Sequence, residues 1–140
     1  MKCIFTPGLY SGNKKTDEQH IALFSMADTM IKAIEKKVSK QELLKYASDF
    51  AEYVAFHTAD EEAFMRQEGY PKWYEHQKLH SIINEKAQNI VLLFAKTDDV
   101  EELSFIVLEF VVDFVLEHIK RYDLEMVEYF NIRSNMNSML

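Results

Sequence analysis

Turn-forming residues are scarce in this sequence, which contains only three glycines and two prolines among its 140 residues. An all-β protein needs many tight turns, whereas a few long helices with short connections need few. The apolar residues agree with helices, because Ile21 and Phe24, and later Ile83, Ile90 and Phe94, recur at the spacing of one helix face. We therefore predict an all-α fold.

Capping residues indicate where the helices begin and end. Thr16, Ser39 and Asp98 each stand three positions before a glutamine or glutamate that can reach back to the cap. Gly69 and Pro71 favour the end of one helix and the first turn of the next. The predicted helices span roughly 17–37, 40–67, 71–95 and 99–130, between an extended N-terminal arm (1–15) and a loosely ordered tail (131–140). Short connections make neighbouring helices antiparallel, so we predict an up-down-up-down four-helix bundle.

Length, charge and cysteine content restrict the class of protein. A chain of 140 residues that is 48% hydrophobic can form one domain with a sizeable core, and we expect neither a second domain nor a fused output domain. The formal charge of -7 disfavours nucleic acid and anionic membranes as partners. The longest apolar stretch, 103–116, is too short to span a bilayer. Because Cys3 is the only cysteine and residues 1–8 show no export signal, we expect a cytoplasmic protein.

The five histidines fall at one end of the predicted bundle. His20 is early in the first helix, and His57 is late in the second. His76 and His80 are early in the third helix, and His118 is late in the fourth. In an antiparallel bundle, early positions on odd helices and late positions on even helices share one end. We therefore expect all five histidines at one level of the bundle.

The spacing of the histidines and two carboxylates predicts which helix faces they occupy. His57 and Glu61 are four apart, as are His76 and His80, so each pair projects from one side of its helix. Asp123 follows the last histidine by five, which places the two side chains on different faces of a regular α-helix. For both to share one site, the helix needs a π-bulge or a loosened turn, and we predict such a distortion.

Imidazole and carboxylate donors without thiolate suit iron, manganese or zinc, and carboxylates on different helices commonly bridge two ions in bundle cores. Two six-coordinate ions need about twelve ligand positions. Five histidines, two bridging carboxylates and a bridging solvent oxygen fill all but about one, which leaves room for a small ligand such as dioxygen. Any one of these pairs alone would be an ordinary helix feature, but together they predict a metal pair. A ferritin-like site needs two ExxH motifs, and the sequence contains none.

In order and spacing these residues resemble the hemerythrin family, whose members carry a histidine, then HxxxE, HxxxH and HxxxxD. The resemblance extends from Thr16 to about Phe130 and includes Glu62, Met65 and Ile119 beside the motifs. It implies two non-heme irons bridged by an oxo or hydroxo oxygen and two carboxylates. The implied ligands are His76, His80 and His118 for one iron, His20 and His57 for the other, and Glu61 and Asp123 as bridges.

The resemblance also implies reversible binding of dioxygen in a dry pocket beside the iron that has two histidines. Water that reached the bound oxygen would expel it and leave the irons oxidised. The implied pocket residues are Leu23, Thr58, Phe114, Val115 and Ile119. Thr58 replaces a phenylalanine common in the family and Phe114 replaces a tryptophan, so a hydroxyl close to the oxygen could admit water.

Three functions stay open at this point. The first is an oxygen-binding protein that stores, delivers or senses dioxygen, as the resemblance implies. The second is a redox enzyme that reduces dioxygen, peroxide or nitric oxide, with Thr58 helping protons to enter the site. The third is iron handling, in which the metal itself is the cargo.

Overall fold

Four helices account for most of the computed structural model, which describes residues 7–139. They are α1 (Lys14–Glu35), α2 (Lys40–Glu68), α3 (Trp73–Lys96) and α4, one continuous helix over 100–139. A single 3₁₀ turn, Pro7–Leu9, precedes them. Along α4 the parts are an α-helix at Val100–Glu109, a π-helix at Phe110–Leu116, a second π-helix at Ile119–Asp123 and an α-helix at Leu124–Met139.

Each helix packs against two neighbours, as in a four-helix bundle. α1 contacts α2 and α4, while α3 contacts the same two helices from the other side. The connections between consecutive helices are only a few residues long, so neighbours run antiparallel. The predicted up-down-up-down bundle is confirmed. Within residues 7–139, no helix combines the length and the apolar character that crossing a bilayer requires.

The helix caps agree with the sequence at two positions and differ at two. The Ser39 side chain accepts a hydrogen bond from the backbone N–H of Glu42, and Gly69 ends α2 with a left-handed φ of 68°, both as predicted. The predicted caps at Thr16 and Asp98 are wrong, because Asn13 and Asp99 cap these helices instead. Pro71 was predicted in the first turn of α3 but lies just before the helix, which begins at Trp73.

The segment before α1 is attached to the bundle. Leu9 is 2% exposed and belongs to the main core, and Asp17 accepts hydrogen bonds from the backbone N–H groups of Ser11 and Gly12. The predicted extended arm (1–15) is therefore wrong from Lys14 onward, where α1 has begun. Residues 1–6 of that arm lie outside the described residues.

The predicted loose tail (131–140) is wrong over 131–139, since α4 continues as a helix to Met139, and Leu140 lies outside the described residues. Arg133 connects this part of α4 to the end of α2. Its guanidinium donates to the backbone carbonyl oxygen of Glu68 and, at 3.0 Å, to the Glu68 carboxylate. The carbonyls of a last helical turn have no partner within their own helix, so Arg133 satisfies one of them.

Two apolar clusters lie along the bundle with the histidines between them. The main core fills the middle and the far end, around large buried side chains such as Phe50 and Phe94. The smaller cluster lies at the near end and comprises Met65, Tyr70, Met126 and Val127, with Trp73, Tyr129 and Phe130 packed against it. The histidine level therefore has apolar material on both sides along the bundle.

Candidate metal centre

Seven donor residues from all four helices meet inside the bundle, and none is more than 7% exposed. They form two groups that share both carboxylates. In each group the donor atoms all lie within 4.8 Å of one another. The first group is Glu61, His76, His80, His118 and Asp123, and the second is His20, His57, Glu61 and Asp123.

Asp123 faces both groups with different oxygens. Its Oδ1 lies 2.8 Å from Nε2 of His76 and 2.9 Å from Nε2 of His118. Its Oδ2 lies 2.9 Å from Nε2 of His20. One carboxylate therefore presents an oxygen to each of two neighbouring sites.

Glu61 repeats this arrangement from α2. Its Oε1 lies 2.9 Å from Nε2 of His76 and 3.2 Å from Nε2 of His80, while its Oε2 lies 3.5 Å from Nε2 of His57. The two carboxylates thus separate a group of three histidines from a group of two. This is the arrangement that bridging carboxylates need if two ions are to lie side by side.

A π-helical turn places Asp123 in the site. His118 and Asp123 are five residues apart, and the segment between them, Ile119–Asp123, is π-helical. Hydrogen bonds in a π-helix run between residues five apart, so this spacing brings the two side chains to one face. The distortion predicted from the sequence is confirmed.

The ring nitrogens are too crowded to be explained by hydrogen bonds alone. Nε2 of His118 lies 2.9 Å from Nε2 of His76 and 3.1 Å from Nε2 of His80. Each Nε2 carries at most one hydrogen, yet Nε2 of His76 also lies within 2.9 Å of an oxygen of Glu61 and of Asp123, so hydrogen bonds cannot account for all of these contacts and a cation among the donors would. Two donors about 2.1 Å from one ion at a right angle lie about 3.0 Å apart, which matches these distances. The residues present therefore fit a bound metal.

The electrostatics favour a cation as well. Burial raises the pKa of Asp123 and Glu61, but the histidines around them outweigh this effect and leave both pKa values below their usual range. Two buried carboxylates that stay ionised are costly unless positive charge compensates them. Burial lowers the pKa of His57 to about 4, so its imidazole is neutral and available as a ligand at neutral pH.

A chain of polar side chains orients His57 from outside the centre. Nδ1 of His57 donates to Oε1 of Gln19 at 2.6 Å, which leaves Nε2 free to bind metal. Nε2 of Gln19 donates to Asp60 at 2.9 Å, and Asp60 is paired with Lys15 at 2.8 Å. This chain could not be predicted from the sequence, where Gln19 was assigned to a helix cap.

A mostly apolar cavity of about 20 Å³ adjoins the donors, which is room for one molecule the size of water or dioxygen. Four of the five proposed pocket residues line it: Leu23, Thr58, Val115 and Ile119. The fifth, Phe114, does not line it and stacks on Phe110 instead. The expectation for Phe114 is therefore corrected, since its ring is turned away from the site.

The cavity wall also contains Val54 and Ile83, which were not predicted from the sequence. Each lies three positions from a histidine, towards the middle of the bundle: Val54 precedes His57 and Ile83 follows His80. Residues three apart share a helix face. Searching one turn inward from every histidine would have found both.

The Thr58 hydroxyl is engaged by protein groups. It lies 3.0 Å from the carbonyl oxygen of Val54 and 3.1 Å from that of Ala55, either of which can accept its proton. Asn84 of α3 donates to its oxygen at 2.9 Å. Thr58 thus places one polar atom in the wall without directing a free donor into the cavity.

Comparison with known proteins agrees with the geometry. The family described as the hemerythrin HHE cation binding domain matches residues 11–130 of this chain. The chain belongs to the hemerythrin family. A bacteriohemerythrin of Campylobacter jejuni (serotype O:23/36) is 29% identical over 120 residues, which cover 84% of this chain and 87% of the relative. A bacteriohemerythrin of Clostridium acetobutylicum is 27% identical over 122 residues, covering 84% and 92%. No solved structure matches the chain.

Family membership gives the donor cluster its simplest interpretation. A cation-binding hemerythrin domain needs buried donors that converge, and the two groups that share Glu61 and Asp123 supply them. The cluster is therefore able to hold metal.

Proposed function

We propose that this hemerythrin-family protein binds dioxygen reversibly at a pair of non-heme irons. The observation that carries the proposal is the pair of shared carboxylates, Glu61 and Asp123, each of which turns one oxygen towards the group of three histidines and the other towards the group of two. The unequal groups leave the two-histidine ion with fewer protein ligands. That ion is the one with room for an external ligand.

The chain would hold the irons through the seven donors already described. One iron would take His76, His80 and His118, the other would take His20 and His57, and Glu61 and Asp123 would join them with a solvent-derived oxygen. Once bound, such a pair supplies two electrons and an open coordination position to dioxygen.

The residues around the cavity would make binding reversible by excluding water. Leu23, Val54, Val115 and Ile119 form an apolar wall beside donors of both groups, including both histidines of the two-histidine group. Apolar walls keep protons and water from a reactive ligand. From the other side, Gln19 would keep His57 in the tautomer that binds metal.

We further propose that the chain forms one hemerythrin-like domain and works in the cytoplasm. The family match over residues 11–130 supports one domain. Cys3 is the only cysteine, so no disulfide can form within the chain, which suits a reducing compartment.

A diiron redox enzyme is the second candidate, and the hydroxyl of Thr58 in the cavity wall favours it. A polar atom beside a bound oxygen species can assist proton delivery, which would turn binding into reduction. The contacts of Thr58 with Val54 and Asn84 restrain it, which is why reversible binding ranks first.

Iron loading followed by exposure to air tests the proposal. Protein loaded with Fe²⁺ without oxygen should hold about two irons per chain, and air should then produce a long-lived absorption spectrum that reverses when oxygen is removed. Rapid oxidation with continued oxygen consumption would favour the redox enzyme. Failure to retain iron would contradict both functions.

Matched variants make the loading experiment specific. His57→Ala removes a donor from the two-histidine group only, so about one iron per chain should remain tightly bound. Phe56→Ala changes the neighbouring side chain, which is 54% exposed, and should keep both irons. Equal iron content in His57→Ala and the unaltered protein would exclude His57 as a ligand.

A further inference from the structure

A second cavity, separate from the apolar one, reaches the centre from the near end of the bundle. Its volume is about 90 Å³, and it shares no lining residue with the apolar cavity. Its wall is formed mainly by Lys15, Thr16 and Gln19 of α1 and by Asp60, Glu61 and Phe64 of α2.

More of the wall of this second cavity is polar than in the apolar cavity, and we call it the polar cavity. It leads from solvent to a bridging carboxylate. The Lys15 side chain at its mouth is 66% exposed, that of Asp60 is 29% exposed, and that of Glu61 at its floor is 4% exposed. The residues of this cavity lie on the terminal side of the ligands, since Lys15 precedes His20 and Phe64 follows Glu61. Residues of the apolar cavity such as Leu23 and Val54 lie on the inner side. The metal centre therefore separates a polar cavity from an apolar one.

The two cavities differ in which molecules or ions they can admit. About 90 Å³ holds several waters, and the polar wall can replace part of the hydration shell of a cation as it is lost. The apolar cavity, at about 20 Å³, is too small for a hydrated ion, and stripping an ion of its water there would be costly. Asp60 and Glu61 are consecutive in sequence and offer oxygen donors at the mouth and at the floor of the polar cavity.

We infer that the polar cavity is the route by which ferrous ions enter and leave the centre, with the Lys15–Asp60 ion pair closing its mouth. This inference rests on the proposed function, because it concerns loading of the same centre. A hydrated divalent cation would displace the ammonium of Lys15 from Asp60, shed water along the polar wall and reach Glu61. Dioxygen would use the apolar cavity instead.

Narrowing the route is the first test. Thr16→Phe places a bulky side chain in the wall without altering a ligand. Co²⁺ uptake by metal-free protein, followed by visible absorption, should slow several-fold, and release to a chelator should slow by the same factor. Equal changes in both rates leave affinity unchanged, which a structural defect at the ligands would not do. Thr29→Phe, at an exposed position on the same helix, is the matched control and should change neither rate.

Removing the positive charge of Lys15 from the mouth of the cavity is the second test. Lys15→Gln should accelerate Co²⁺ uptake roughly tenfold at low ionic strength, and the gain should shrink as salt is added. Lys45→Gln is the control, since it removes the same charge from an exposed ion pair with Asp49 and should leave the uptake rate unchanged. Rates in Thr16→Phe and Lys15→Gln that match those of the unaltered protein would overturn the route while leaving the metal centre intact. An unaltered protein that binds no Co²⁺ or Fe²⁺ would instead overturn the proposed function.

Discussion

At the residue scale, His76 must give up a proton before it can bind metal. Burial lowers its pKa, but the carboxylates of Asp123 and Glu61 outweigh burial and raise the pKa to about 9. The same balance raises the pKa of His80, with Glu61 and Glu62 as its partners. A histidine that is protonated at neutral pH competes with a metal for its own nitrogen.

We therefore predict that metal binding at pH 7 releases about one proton or more per chain, and that affinity rises with pH up to about 9. Titration calorimetry in buffers of different ionisation enthalpy measures this release. The raised pKa of His76 also makes the free energy of unfolding depend on pH. In metal-free protein, the stabilisation that protonated His76 gives the folded state is fully present below pH 6.5 and is lost as the pH rises through about 9. Metal binding at pH 7 without proton release would contradict the prediction.

Thr58 supports a second prediction at this scale. Thr58→Val keeps the shape of the side chain but leaves the amide of Asn84 without its acceptor, so unfolding free energy should fall by about 1 kcal/mol. The cavity wall loses the only hydroxyl that the described residues give it, so the oxygenated protein should oxidise more slowly. Urea denaturation and the decay of the absorption spectrum in air measure the two effects. Faster oxidation in Thr58→Val would show that the hydroxyl protects the site.

At the scale of elements, α4 differs from the other three helices because it contains two π-helical segments. A π-turn adds one residue to a helix and is less favourable than an α-turn, so such turns persist mostly where function requires them. The segment Ile119–Asp123 meets that description, since it carries Asp123 between the two groups of histidines.

Deleting the exposed Lys120 should convert this segment to regular α-helix. Asp123 would then follow His118 by four residues and remain on nearly the same face. Metal-free protein should keep its fold and melt no lower than the parent, while iron retention on dialysis should fall because the donors no longer align. Deleting the exposed Glu52 from α2 is the contrasting case. It rotates one half of a regular helix by about 100° and should abolish iron binding altogether. Unchanged iron retention after loss of Lys120 would show that the π-turn is dispensable.

At the scale of the whole molecule, the centre joins all four helices where apolar packing is interrupted. The main core lies on one side of the donors and the smaller cluster around Met65 and Met126 on the other. Between them, buried charges replace apolar contacts, so we expect a bound metal to stabilise this level of the bundle.

Iron removal should therefore lower the melting temperature. Free iron at 100 times its dissociation constant stabilises the folded chain by about 2.7 kcal/mol, which for a chain of this size is a shift on the order of 10 °C. Differential scanning calorimetry with and without iron measures the shift. A chelator that leaves the melting temperature of the loaded protein unchanged would contradict this dependence.

Much of the fold and of the donor set could be predicted from the sequence because both depend on spacing along a helix. Scarce turn residues indicated long helices, and pairs such as His57 and Glu61 could be assigned to one face from periodicity alone. The odd spacing of Asp123 indicated a π-bulge or a loosened turn, and the structure has the π-helical form.

Contacts between helices could be seen only in the tertiary structure, because no spacing rule specifies which polar side chains meet across an interface. Gln19 was assigned to a cap but binds His57, and the tail was expected to be loose but is held by Arg133 at the end of α2. Phe114 was placed in the pocket on one helix face, yet the π-helix around it turns its ring towards Phe110. Both cavities likewise depend on how side chains from several helices fill a shared space, which packing decides and periodicity does not.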